Sequence, residues 1–203
     1  MAREQMKQLI IITLGIFLFG CSSSVPEKCE EKKPKIKMDG DGNQVKHGQE
    51  QECHPNGFWK SAGEWKSGKE EGKWNKWDDN GKKLSESNFK NGKLEGKRAM
   101  WRENGKKLLE GNYKNGKQDG KWTFWHDNGK MKREGNYKEG SREGIWTLWH
   151  DNGKKQSEGN WKDGEREGKS IVWSKNGHKT SESNWKNGKA EGNYKNGKQV
   201  LSP

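Results

Sequence analysis

The chain has 203 residues and a formal net charge of +12; 34% of it is charged and only 26% is hydrophobic. So polar a chain cannot bury enough apolar surface to offset chain entropy in a thick two-layer core, which excludes an ordinary globular enzyme. Composition alone would place it among disordered chains, but its 12 tryptophans recur at fixed intervals, as random low-complexity sequence does not.

Residues 1–20 read as an export signal. Arg3 and Lys7 form a basic start, and Leu9 to Phe19 is an apolar run too short to span a bilayer as a helix. Leu18-Phe19-Gly20-Cys21 follows. It resembles a bacterial lipoprotein lipobox, with Phe19 departing from the usual small residue. The resemblance implies that Cys21 is lipidated, palmitate among its acyl chains. It also implies a mature chain that starts at Cys21 and is tethered to a membrane it does not span. Residues 21–39 then read as the lipidated Cys and a flexible stalk, being polar, proline-containing and aperiodic. Cys29 and Cys53 remain as an even pair in an export compartment; they can form a disulfide or stay as free or intermolecular thiols.

From residue 64 the chain repeats every 24 residues without a gap, with units opening at Glu64, Asn88, Asn112, Asn136, Asn160 and Asn184. A degenerate first copy occupies 40–63, and the last unit of the array at 64–203 is truncated. Within a unit the second position is always aromatic (Trp65, Phe89, Tyr113, Tyr137, Trp161, Trp185) and the fifth and ninth are always Gly. The fourteenth is always Trp (Trp77, Trp101, Trp125, Trp149, Trp173), and Asn-Gly stands at the seventeenth and eighteenth.

Asn-Gly and its relatives tolerate the positive φ of type I′ turns, so two such turns per unit predict one β-hairpin per unit. Glycines interrupt every stretch long enough for a stable helix. The predicted fold is all-β: an elongated, single-layer antiparallel meander of consecutive hairpins. Alternation puts the eleventh and thirteenth positions on one face and the fourteenth-position Trp on the other. A running aromatic ladder, with second-position rings between successive tryptophans, is the expected stabiliser, since one unit cannot hide its rings and stacked units can.

Gly-Lys-Trp-x-x-Trp-x-x-Asn-Gly-Lys followed by Glu-Gly-Asn-Tyr-Lys-Asn-Gly-Lys resembles the MORN-type repeat, closest to the bacterial variant of the YwqK-like antitoxin family. The likeness covers residues 47–198. It implies a twisted single-layer sheet of hairpins without catalytic residues of its own, serving as a scaffold, a phospholipid-binding module or a partner-binding module. The same resemblance implies an alternative function, an inhibitor that occludes a toxin partner.

Little in the sequence carries reaction chemistry. His126 and His150 occupy identical Trp-His-Asp-Asn-Gly turns and read as turn-flanking polar residues. No metal-ligand set is fixed by spacing, Asp39-Gly40-Asp41-Gly42-Asn43 lacks the Glu that closes a calcium loop, and no phosphate loop occurs. No cofactor is expected. The Glu column (Glu86, Glu110, Glu134, Glu158, Glu182) reads as pairing with Lys on the sheet surface. The candidate binding surface is Lys66, Lys90, Lys114, Lys138, Lys162 and Lys186 at the third position, with Trp77, Trp101, Trp125, Trp149 and Trp173. Ammonium groups beside aromatic rings suit an anionic lipid, a glycan or an acidic protein, while the export signal argues against nucleic acid. The expectation is a non-catalytic lipoprotein of the cell envelope, anchored in the outer membrane through Cys21.

Overall fold

The computed structural model describes residues 29–195 and 198–200. The signal segment and Cys21 lie outside the described residues.

The described chain holds strands and turns and no helix. The strands are β1 (Lys35–Met38), β2 (Gln44–Cys53), β3 (Trp59–Lys66), β4 (Lys69–Trp77), β5 (Lys83–Lys90) and β6 (Lys93–Trp101). Next come β7 (Lys107–Lys114), β8 (Lys117–Gln118), β9 (Gly120–Trp125), β10 (Met131–Lys138) and β11 (Ser141–Trp149). The series closes with β12 (Lys155–Lys162), β13 (Glu165–Trp173), β14 (Lys179–Lys186), β15 (Lys189–Lys195) and β16 (Lys198–Val200). All join one open sheet in chain order, each pairing antiparallel with its sequence neighbours, except that β8 pairs β7 alone. Every pair of strands in substantial contact is adjacent in the sheet, so no second layer covers either face among the described residues. The hairpin meander expected from the repeats is therefore the fold.

Its two rows of turns differ. At the fourth and fifth positions both residues have positive φ, as at Asn115 (50°) and Gly116 (80°), which is the type I′ geometry expected. At the seventeenth and eighteenth positions only the glycine does. Gly81 has φ 77° while Asn80 does not enter the left-handed region; Gly81 N–H donates to Asp78 O at 3.1 Å, and Asp78 N–H donates to Lys82 O at 2.9 Å. That is a type I turn closed by a left-handed glycine, and it corrects the expectation of type I′ turns at both ends. The asparagine there laces units together instead: Asn128 Nδ2 donates to Asp151 O at 2.6 Å and Asn152 Nδ2 to Lys175 O at 2.8 Å.

The type I′ turns are laced as well. Gly116 N–H donates to Leu94 O and Gly140 N–H to Gln118 O, both at 2.8 Å. The preceding turn N–H reaches an acidic side chain of the previous unit, Asn115 to Glu95 at 2.7 Å and Asn91 to Glu71 at 2.8 Å. Groups that a lone hairpin would leave to solvent are thus satisfied by the next hairpin.

Burial concentrates on one face, at the eleventh position: Trp74 is 8% exposed, and Trp122 and Trp146 are each 1% exposed. Each meets the second-position rings edge to face, with Tyr113–Trp122 at 5.2 Å, Trp122–Tyr137 at 6.0 Å and Tyr137–Trp146 at 4.9 Å between centroids. Each indole N–H is satisfied by a backbone carbonyl, Trp122 by Asn112 O at 3.1 Å and Trp146 by Asn136 O at 3.0 Å. The ladder therefore exists, but the second-position rings alternate with the eleventh position. The fourteenth-position tryptophans stand half-buried on the opposite face, which corrects their expected part in it. Where Arg98 or Ser170 replaces the eleventh-position Trp, this ring sequence is interrupted.

The first copy, 40–63, supplies β2 and the start of β3, but the turn that leads into it has positive φ at Gly42 alone and lacks the type I′ geometry of the later units. The stretch read as stalk differs from its expectation from residue 29 onward: β1 pairs with β2, Lys32 bridges to Gln51, and Cys29 is disulfide-bonded to Cys53. Isolated hairpins are marginal, and this bond fastens the segment N-terminal to β1 onto the first hairpin.

Candidate functional site

The sheet presents two faces and two rows of turns, and the charged residues divide unevenly among them. On the face opposite the ladder, lysines and glutamates neutralise one another. Glu86 lies 3.0 Å from Lys83 and 3.2 Å from Lys73; Glu110 lies 2.8 Å from Lys107; Glu182 lies 2.7 Å from Lys169 and 2.8 Å from Lys179. The hydrogen bond from Lys83, helped by Lys73, holds the Glu86 carboxyl below its ordinary value of 4.5 against the opposing effect of burial. Lys169 and Lys179 do the same for Glu182.

A carboxyl lowered on folding adds stability above its unfolded pKa and loses that contribution as pH falls through the folded value. Stability is expected to be level through neutral pH and to decline in acid, below the ordinary Glu value of 4.5. In urea titrations from pH 7 toward pH 3, Glu86→Gln should show a shallower decline than the unmodified chain; identical slopes would refute the assignment.

The fourteenth-position tryptophans share this face. Lys83 Nζ lies 5.9 Å from the Trp101 ring centroid, Lys107 Nζ 5.2 Å from Trp125 and Lys155 Nζ 5.9 Å from Trp173. Cations do sit over these rings, but they come from the twentieth position. The third-position lysines are elsewhere. Lys107 pairs with Trp101 at one end of β7 and Lys114 ends the same strand, seven residues or roughly 23 Å away at about 3.3 Å per residue. The two halves of the candidate surface therefore lie along opposite rows of turns.

Lys66, Lys90, Lys114, Lys138, Lys162 and Lys186 flank the type I′ turns, and all six are exposed. Four of them stand directly across the hairpin from another exposed lysine: Lys66 from Lys69, Lys90 from Lys93, Lys114 from Lys117 and Lys186 from Lys189. None of these eight takes part in an ion pair among the described residues. Like charges directly opposite one another destabilise an antiparallel pair. This sheet neutralises its lysines on the adjoining face and leaves them unneutralised along the row of tips.

The other row of turns is structural. His126 Nε2 lies 2.8 Å from Trp149 O and His150 Nε2 lies 3.0 Å from Trp173 O, so each imidazole donates to the next unit and is spent there. Arg102 makes the same link, donating to Trp125 O at 2.8 Å. Asp39 accepts from the Asn43 and Asp41 N–H groups at 2.8 and 3.0 Å and closes the β1–β2 turn with the oxygen a cation would use. Among the described residues no group of His, Cys, Asp or Glu could hold a metal ion.

Two structural columns escaped the sequence reading. The acidic eighth position (Glu71, Glu95, Asp119, Glu143, Glu167) serves the turn N–H groups of the following unit, and its regularity alone could have revealed it. The last position of a unit lies beneath the next eleventh-position ring. It is Gly63, Gly111 and Gly135 under Trp74, Trp122 and Trp146, and Ser87 opposite Arg98. That covariation between copies was visible but needed the register to interpret.

Residues 70–91, 94–115, 118–139 and 142–163 each match the family model described as the MORN repeat variant. The matched frames follow the hairpin repeat, and four tandem repeats of this kind point to a repeat-built binding or scaffolding role. No relative among curated proteins matches the chain.

Proposed function

We propose that this chain is a non-catalytic envelope lipoprotein, anchored through Cys21, whose row of lysine-bearing hairpin tips lies against an anionic head-group surface. The observation that carries the reading is the set of facing lysine pairs without counter-charge, Lys66–Lys69, Lys90–Lys93 and Lys114–Lys117. They cost the fold stability and present a row of ammonium groups along one edge of turns, advancing about 10 Å per unit at roughly 4.8 Å per strand. Each lysine held near an anionic leaflet contributes about 1 kcal/mol, within a Debye length of the surface.

At low salt the full-length chain should co-sediment more strongly with phosphatidylglycerol than with phosphatidylcholine vesicles, with this excess retention falling as salt rises. Changing Lys90, Lys93, Lys114 and Lys117 together to Gln should reduce that retention at least about tenfold, at about 1 kcal/mol per lysine. Retention indifferent to salt and to these changes would refute the electrostatic contact. The anchor is tested separately: Cys21→Ala should abolish palmitate labelling and the membrane partitioning that survives high salt, and undiminished partitioning at high salt would remove it.

A further inference from the structure

The ladder face changes character toward the C-terminal end. Arg142 and Arg166 occupy the seventh position of successive units. The Arg142 guanidinium carbon lies 4.9 Å from the Trp146 ring centroid and 4.5 Å from that of Trp161. The corresponding carbon of Arg166 lies 5.5 Å from Trp161 and 4.6 Å from Trp185. Rings and guanidiniums thus alternate in the order Trp146, Arg142, Trp161, Arg166, Trp185. Both arginine backbones are pinned by the turn lacing, Gly164 N–H donating to Arg142 O and Gly188 N–H to Arg166 O, each at 3.0 Å.

The first unit shows what such a cation needs. Lys46 also holds a seventh position and lies 4.6 Å from the Trp65 ring centroid. There Glu50 supplies the anion: it pairs with Lys46 at 2.8 Å and accepts the Trp65 Nε1–H at 2.7 Å. Burial pushes the Glu50 carboxyl up, and these two donors outweigh it and bring it below its ordinary value. Glu50 is the eleventh residue of its unit. The eleventh residues of the two arginine units are Trp146 and Ser170, so neither supplies a carboxylate. Among the described residues Arg142 and Arg166 have no ion-pair partner, and Trp185 Nε1 is buried with no acceptor. The donors that Glu50 engages in the first unit are repeated here without the acid.

We propose that the Arg142–Arg166 stack binds an acidic polysaccharide, whose carboxylate or sulfate groups pair with the guanidiniums as Glu50 pairs with Lys46 in the first unit. A guanidinium stacked by its faces keeps its N–H fork in plane for an oxyanion, as an ammonium cannot. The two arginines stand one repeat apart, about 10 Å by strand spacing, close to the advance of one disaccharide in an extended chain. Arg142, Trp161 and Trp185 are part-exposed and Arg166 is exposed, while Trp146 is buried beneath them, so the outer part of the stack remains accessible. Ser157, Ser170 and Ser181 share the face through the pairs Ser157–Val172, Gly159–Ser170 and Val172–Ser181, beside ring surfaces suited to the C–H faces of a sugar. An acidic peptide supplies charge without such faces. A bilayer spreads its phosphates over a plane, while these two cations lie along a line.

The test titrates the full-length chain in detergent with a heparin-derived hexasaccharide and with its desulfated, carboxyl-reduced counterpart, followed by calorimetry and tryptophan emission. The acidic sugar should bind with a change in emission, and the neutral one should not. Arg142→Gln with Arg166→Gln should raise the Kd about tenfold or more, and Arg142→Lys with Arg166→Lys should restore only part of the affinity while preserving the far-UV spectrum. The tip changes at Lys90 and Lys114 should leave sugar binding intact, and the arginine changes should leave vesicle binding intact, so this site and the head-group contact fail separately. No binding by the unmodified chain, binding unmoved by the arginine changes, or equal arginine-dependent binding of a poly-glutamate peptide would each overturn the proposal.

Discussion

Trp122→Ala should destabilise the sheet by about 3–5 kcal/mol, while Trp125→Ala, three residues along the same strand, should cost about 2 kcal/mol or less. Both are tryptophans of one unit, yet Trp122 is 1% exposed and meets Tyr113, Tyr137 and Phe124, whereas Trp125 is half-buried beneath Lys107. Removing Trp122 also uncovers Gly111, which lies directly beneath that ring. Because each unit contacts only its neighbours, the loss should divide the array, with amide exchange accelerating first in β9 and β10. Guanidinium denaturation with exchange measurements checks both parts. Equal losses for the two variants would show that the ladder runs through the other face after all.

Gly135→Ala should cost about 3 kcal/mol or more, at or above the usual range for overpacking, and Gly159→Ala should be nearly neutral. A Cβ on Gly135 would lie 2.3 Å from Trp146 Cδ2 and 2.5 Å from its Cγ, so the ring itself would have to lift from the sheet. At Gly159 the nearest atom is Ser170 Oγ at 3.1 Å, a single rotor that can turn aside. Neither glycine has a positive φ, so backbone strain does not confuse the comparison. Thermal denaturation of the two variants beside the parent decides it: similar shifts would mean that the ring does not rest on the glycine backbone.

These two experiments probe what the sequence did not disclose. The fourteenth position is Trp in every complete unit and the eleventh is not, so invariance pointed to the wrong column. Arg98 and Ser170 interrupt the eleventh column, yet three of its members are the most buried large side chains of the sheet. Parity along a strand correctly separates the two columns onto opposite faces, but it does not say which face receives the second-position rings. That depends on how the register steps at the ninth-position glycines, as between Glu134 and Asn136, where the left-handed Gly144 (φ 67°) lets the strand bulge. The candidate site was legible to a similar extent. The six lysines stand exposed at the type I′ turns, as repetition led one to expect, but the rings thought to accompany them belong to the other row of turns, and the cations over those rings come from Lys83, Lys107 and Lys155.

By itself the sequence determined the 24-residue frame, one hairpin per unit, the antiparallel order and the alternation of faces. Each follows from local rules: which residues accept a positive φ, and the two-residue period of a strand. Only the tertiary structure decided which tryptophans are buried, which turns are type I′, how Glu95 and its equivalents serve the next unit, and which lysines and arginines keep their charge uncompensated. Those outcomes rest on contacts between residues about 10 to 23 positions apart, and these come together only once bulges and lacing have fixed the register of one hairpin against the next.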